Sequence, residues 1–199
     1  MKSKKFLTFI IFAIINILNV NYSHSIEPDI FIQSTVNRAS EALNNKFTKE
    51  EKVEKLKKIA SETVDIKGIG FYTLGSYRKN ISEAQRKEYE KLFNNYFLKS
   101  FSSRLAEYSN PEIEVNSKKK INENYTIVSS TLIATDTRPK VRIDWRVYTK
   151  YPDNLLIRDL MIEGLSLART QKEEFSSIIN SNDGNIKALL KNLADFVSK

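Results

Sequence analysis

Apolar positions along this chain change period twice, dividing it into a helical first half, a strand-rich middle and a helical tail. From Ile30 to Asn45, Ile32, Val36, Ala39 and Leu43 recur at helical spacing. Thr48, with Glu51 three residues on, is a capping-box pattern that opens a second helix with Val53, Leu56 and Ala60 as its stripe. A third, shorter helix is expected from Asp65, carrying Ile69, Tyr72, Leu74 and Tyr77. Gly68 and Gly70 weaken it, each costing roughly 1 kcal/mol against alanine, which points to close packing or a kink. Ser82 and Gln85 repeat the capping spacing before a long helix to about Glu107. Its face carries Tyr89, Leu92, Phe93, Tyr96, Phe97, Phe101 and Leu105. Five aromatics on one helix suit either a core or one wall of a cavity.

From Pro111 the period becomes two. Ile113 and Val115 alternate with acids, and Tyr125, Ile127, Ser129, Thr131 and Ile133 alternate with Thr126, Val128, Ser130, Leu132 and Ala134. A third strand sends Val141, Ile143, Trp145 and Val147 one way and Arg142, Asp144, Arg146 and Tyr148 the other. A fourth spans Leu155 to Glu163. Lys118 to Lys120 read as a solvated hairpin turn. The short connections predict an antiparallel meander. Two helices close the chain, from about Ala168 to Ile179 and from Asp183 or Gly184 to Val197, the last with Ile186, Leu189, Leu190, Leu193 and Phe196 on one side. The fold class is α+β: a twisted four-stranded antiparallel sheet packed with several helices. Periodicity leaves open whether the interior between them is filled or hollow.

The first 25 residues stand apart. Lys2, Lys4 and Lys5 precede an apolar stretch from Phe6 to Val20, and Ser23-His24-Ser25 place small residues before a cut after Ser25. This is the order of a secretory signal peptide, and about 15 apolar residues fall short of the roughly 20 of a spanning helix. Residues 1–25 are therefore expected to be a removed leader and residues 26–199 a single domain. Loss of the three leader lysines lowers the formal charge from +8 to +5. Such a charge suits work beside anionic surfaces or acidic partners, and equally a solvated lysine-rich surface. A nucleic-acid role would want a basic cluster with interleaved aromatics and is set aside.

The chain has no cysteine, and its one histidine, His24, lies in the expected leader. The domain therefore lacks the commonest general base, every thiol nucleophile and the usual zinc ligands. Carboxylates, lysines and tyrosines remain, and an enzyme is disfavoured.

Two segments are more distinctive than composition. One is Leu74-Gly75-Ser76-Tyr77-Arg78-Lys79 followed by Ile81-Ser82-Glu83-Ala84-Gln85-Arg86, leading into Tyr89 and Phe93. The other is Val141-Arg142-Ile143-Asp144-Trp145-Arg146, with Arg158-Asp159-Leu160-Met161-Ile162-Glu163-Gly164-Leu165-Ser166-Leu167 after it. Their order and spacing resemble the MlaC family, also called the toluene-tolerance or ABC-transporter auxiliary family, from about Ile30 to Phe196. Three positions depart from the family's habit: members usually carry an aromatic near Leu155, often a tyrosine at Arg158, and commonly an aromatic at Arg78.

The resemblance implies a non-enzymatic periplasmic phospholipid carrier in a Gram-negative cell, with lipid as its only ligand and no cofactor or metal. Its partners would be an outer-membrane lipoprotein complex and an inner-membrane ABC transporter with an MCE-domain subunit, a system that maintains outer-membrane lipid asymmetry. The acyl chains would lie in an apolar pocket. Each buried methylene is worth about 0.8 kcal/mol, so two chains of some 15 carbons represent roughly 20 kcal/mol gross. Lipid scarcely crosses water unaided. The expected lining is Ile69, Tyr72, Leu74, Tyr77, Tyr96, Phe97, Phe101, Ile127, Val141, Ile143, Trp145 and Met161, each of which also suits an ordinary core. Arg142, Asp144, Arg146, Asp159 and Glu163 are expected to form a salt-bridge ladder that fixes register or a partner-docking surface. The remaining alternatives are a periplasmic protein-binding adaptor with a filled core and a carboxylate-based, isomerase-like enzyme. On the carrier reading, Lys118 to Lys120 have a second possible role in meeting anionic lipid.

Overall fold

A computed structural model describes residues 26–199, so the expected leader lies outside the described residues. Helices occupy Pro28–Ala42 (α1), Lys49–Thr63 (α2), Ile66–Thr73 (α3) and Glu83–Leu105 (α4). Strands follow at Ile113–Asn122 (β1), Tyr125–Leu132 (β2), Val141–Tyr148 (β3), Leu156–Ile162 (β4) and Leu165–Ser166 (β5). Leu167–Asn180 (α5) and Ile186–Ser198 (α6) close the chain. Among the described residues, no helix is long and apolar enough to cross a membrane.

The capping boxes form as the spacing predicts. Thr48 and Ser82 each accept from the backbone N–H three residues on, and the Glu51 and Gln85 side chains reach back to the cap. The third helix is shorter than expected. It ends at Thr73, Gly75 takes φ +57°, and Gly75–Lys79 forms a 3₁₀ turn. Tyr77 therefore stands in that turn and not in the helix. Gly70 is required by packing, because a Cβ there would sit 2.8 Å from Cδ1 of Phe93 on α4.

The sheet is an antiparallel meander in the order β1-β2-β3-β4-β5, with the short β5 added to the four expected strands. Glu163 (φ +49°) and Gly164 (φ +82°) make the tight turn into β5. Lys118 to Lys120 are in strand β1, at the free edge of the sheet, and not in a hairpin turn; the turn is at Glu123 and Asn124.

Three cores hold the elements together. The largest joins α3, α4, α5 and α6 through Ile69, Leu74, Tyr89, Phe93, Phe175, Ile179, Leu189 and Leu193. A second seats Ile32 and Val36 of α1 on Val128, Val147, Leu155 and Ile157. The third gathers Ala42, Leu43, Leu56 and Ala106 where α1, α2 and the end of α4 meet.

Candidate functional site

Cross-strand partners share a face of a sheet, so the register sorts its side chains. Leu132 pairs Val141, Ser130 pairs Ile143, Val128 pairs Trp145 and Thr126 pairs Val147. On β4, Ile162 opposes Ile143 and Leu160 opposes Trp145. All stand on one apolar face. Arg142, Asp144 and Arg146 point the other way, opposite Thr131, Ser129 and Ile127 on one side, and Met161 opposes Asp144 on the other.

Helices come close to the sheet over its margins: α1 over β1 and β2, and α3 and α5 over β4. On the central strand β3, α1 packs at Val147 and Trp145, and the rest of the strand's apolar side joins none of the three cores. Leu132, Val141, Ile143, Leu160 and Ile162 consequently share an apolar face yet belong to none of the three cores. Trp145 marks the boundary of this region. Its ring packs against the α1 core, and its indole N–H donates to Ser130 Oγ at 2.8 Å.

The long helix α4 packs on α2, α3 and α6. Two hydrogen bonds tie this helix and the residues just past its end to neighbouring elements. The Tyr96 hydroxyl donates to Gln171 of α5 at 2.8 Å, and Arg138, just before β3, donates to the Glu107 carbonyl at 3.3 Å and covers the Tyr108 ring. Phe97 and Phe101, stacked with centroids 5.5 Å apart, lie between these ties and are only half buried.

The residues expected to line a pocket do not gather at one place. Val141, Ile143 and Trp145 stand on the apolar face of the sheet, and Phe97 and Phe101 stack half buried on α4. Ile69 and Leu74 are buried in the helical core. Tyr72 is exposed, with the Lys172 ammonium 5.4 Å from its ring, and Tyr77 hydrogen-bonds Asn180 at the surface. Tyr96 packs against the helical core, and its hydroxyl donates to Gln171. Ile127 and Met161 stand on the charged face, because the pairing turns them away from Val141, Ile143 and Trp145. Leu132, Leu160 and Ile162 were missed. Leu132 was available from alternation on β2. The β4 residues were hidden by the irregular register between Arg146 and Val147, which breaks period two there.

The charged face is a network of ion pairs and hydrogen bonds. Arg142 reaches Asp144 (3.1 Å) and Arg146 reaches Asp159 (3.9 Å), while Ser129 donates to Asp144 at 2.6 Å. Asp159 is buried and accepts from the Ser166 hydroxyl (2.6 Å) and the Leu160 and Ala168 N–H groups, fixing the start of α5. The Glu163 side chain accepts from the Arg142 N–H and sits in the turn beyond β4. A separate hollow of about 190 Å³ lies between α3 and α4, beside Gly70, Tyr89 and Phe93, with Lys67 and Glu90 paired at 3.2 Å among its lining residues. Among the described residues, no group of three His, Cys, Asp or Glu is placed to hold a metal ion.

Together these features define an α+β protein whose antiparallel sheet lies beside an aromatic-rich helical core. The chain belongs to the MlaC family: the family model described as MlaC protein matches residues 33–195. It is 33% identical over 61 residues to the intermembrane phospholipid transport system binding protein MlaC of Haemophilus influenzae. That match spans 31% of this chain and 28% of the relative. The fold is similar to that of a phospholipid-binding protein from Ralstonia solanacearum, solved in complex with a phospholipid. The TM-score is 0.72 at 18% identity, covering 87% of this chain and 98% of the other.

Proposed function

We propose that this chain is a periplasmic phospholipid carrier that moves lipid between the outer and inner membranes and catalyses no reaction. The carrying observation is the apolar sheet face shared by Leu132, Val141, Ile143, Leu160 and Ile162, which belongs to none of the three cores. Membership of the MlaC family supports the reading, as do the phospholipid in the similar Ralstonia structure and the transport role in the Haemophilus relative's name. On this reading residues 1–25 direct export and are removed. The single domain then works with an inner-membrane ABC transporter bearing an MCE-domain subunit and with an outer-membrane lipoprotein complex. That assembly is the Mla-type system maintaining outer-membrane lipid asymmetry, and it involves no nucleic acid.

Three separate cores make this face a natural place to part. Small-ligand pockets offer roughly 300–1,000 Å³, more than the hollow between α3 and α4. Two acyl chains therefore enter by separating α4 from the sheet, with Phe97 and Phe101 on one side and Val141, Ile143 and Trp145 on the other.

The test is organic extraction of protein purified from the periplasm, followed by mass spectrometry. Phospholipid near one molecule per chain is expected. Fully folded protein that yields no lipid, and takes none from vesicles, would defeat the reading.

A further inference from the structure

The apolar side of the sheet is closed at one end and open at the other. Val128 and Val147 are fully buried beneath α1. Toward the start of β3, Ile143 is 8% exposed and lies outside that core. Strand pairing carries the same side outward from there: Ile143 opposes Ile162 on β4, and Ile162 opposes Leu165 on β5. Leu165 is 62% exposed, and Leu167, two residues on, is 40% exposed. Because β5 is the last strand of the sheet, this apolar row ends at an open edge.

The turn that presents the two leucines stands clear of the molecule. Glu163 and Gly164 both take positive φ, and a Cβ added at Gly164 would meet no atom within 4 Å. Cations gather around it. The Glu163 N–H donates to the Arg142 carbonyl at 3.0 Å, which brings Lys140 and Arg142 to this end of the sheet. Arg169 follows in the first turn of α5, where its N–H donates to Ser166 Oγ at 3.1 Å. All three basic side chains are exposed. Arg142 is paired with Asp144, and the Glu163 carboxylate accepts from the Arg142 N–H. On α5 the next acids are Glu173 and Glu174, a full turn beyond Arg169.

Exposed leucines on a projecting turn, set among cations, suit a negatively charged bilayer. The apolar side chains enter the boundary between headgroups and acyl chains, and Lys and Arg meet the phosphates. The lysine-bearing edge of β1 is a poorer match. Lys118 is already held by Glu27 and Asp29, and Ile121 is the one large exposed hydrophobic on that strand. We propose that the β4–β5 turn is a membrane-docking tip: Leu165 and Leu167 enter the surface of an anionic bilayer while Lys140 and Arg169 meet its headgroups. The proposal rests on the carrier reading and supplies the surface by which the carrier meets a membrane.

The test is co-sedimentation of protein purified from the periplasm with sucrose-loaded vesicles, either pure phosphatidylcholine or phosphatidylcholine mixed with phosphatidylglycerol. The unaltered protein should sediment with the mixed vesicles. Leu165→Ser with Leu167→Ser should weaken this about tenfold, the scale of withdrawing two partly inserted leucines. Lys140→Gln with Arg169→Gln should weaken it at least fivefold on mixed vesicles and leave pure phosphatidylcholine unaffected. Ile30→Ser with Ile121→Ser removes hydrophobics of similar exposure elsewhere and should change nothing. The chain has no cysteine, so Leu165→Cys carrying a nitrobenzoxadiazole label reports on the tip without relying on a loss of binding. Its emission should rise and shift to the blue with mixed vesicles, and the same label at Ile121→Cys should not respond. Unaltered protein that stays in the supernatant, tip variants that sediment undiminished, or a label at Leu165→Cys that stays in water would each overturn the tip. Lipid extracted from that same protein would leave the carrier reading standing, whereas absence of lipid would bring down both.

Discussion

Asp65 and Arg158 lie 93 positions apart in the chain, and their side chains meet at 2.6 Å between Oδ2 and Nε. Asp65 also caps α3 by accepting from Gly68 N–H at 2.9 Å. Arg158 lies over the Tyr148 ring, 3.5 Å from its centroid, and donates to the Tyr125 hydroxyl at 2.9 Å. One guanidinium thus joins the start of α3 to three strands, β2, β3 and β4, on the charged face of the sheet.

Arg158→Ala should destabilise the protein by about 1–3 kcal/mol, the penalty for leaving partly buried hydrogen-bonding groups without a partner. Arg158→Lys should recover little, because a point charge cannot bond Asp65, bond Tyr125 and stack on Tyr148 together. Urea midpoints at unchanged m-value check this. An unaltered midpoint in Arg158→Ala would show that the clamp contributes nothing.

Tyr89 governs behaviour in alkali. Its hydroxyl lies buried within reach of Thr73 Oγ1 (2.8 Å) and the Gly70 carbonyl (3.1 Å), and burial pushes its pKa well above the ordinary tyrosine value. The unfolded chain releases this proton near pH 10 while the folded chain retains it. The associated stability is therefore complete below about pH 10 and is lost as pH rises beyond it. Tyr89→Phe should cost about 1 kcal/mol at pH 7 and flatten the alkaline limb of the stability curve. Parallel limbs for the two proteins would refute the assignment.

Core and half-buried residues should separate under truncation. Leu74→Ala removes a side chain buried in the helical core and should cost about 2–5 kcal/mol. Phe101→Ala touches a half-buried ring and should cost about 1 kcal/mol, yet reduce vesicle-to-protein transfer of labelled phospholipid several-fold. Thermal melts and transfer assays on both variants test the contrast. Equal stability loss with unchanged transfer would make Phe101 ordinary core.

The free edge of β1 carries Lys118, Lys119 and Lys120, and Lys118 also holds Glu27 and Asp29, each at 2.7 Å. Charged side chains on an exposed edge oppose pairing with another chain. Replacing Lys119 and Lys120 together with valine should raise concentration-dependent light scattering and leave the unfolding midpoint within about 0.5 kcal/mol. A double variant that stays monodisperse would assign no protective role to these lysines.

Much of the fold was legible because it rests on local signals. Thr48 with Glu51 and Ser82 with Gln85 mark helix starts through backbone hydrogen bonds closed within four residues. Alternation sorted Val141, Ile143, Trp145 and Val147 from Arg142, Asp144 and Arg146 correctly, since a strand's side chains alternate whatever packs on it. The 3₁₀ turn at Tyr77 was less accessible, because it follows from Gly75 taking φ +57° beside Lys172.

The local pattern of residues settled which segments become helices and strands and which side of each is apolar. It did not settle what that apolar side faces. Leu74, just past the end of α3, entered the core while Phe101 on α4 stays half exposed, though both are large hydrophobics. Ile127 and Met161 were turned away by pairing with strands far along the chain. Burial depends on which elements meet, and that is a property of the assembled layers: α1 closes over Val128 and Val147, while Ile143 and Ile162 join none of the three cores.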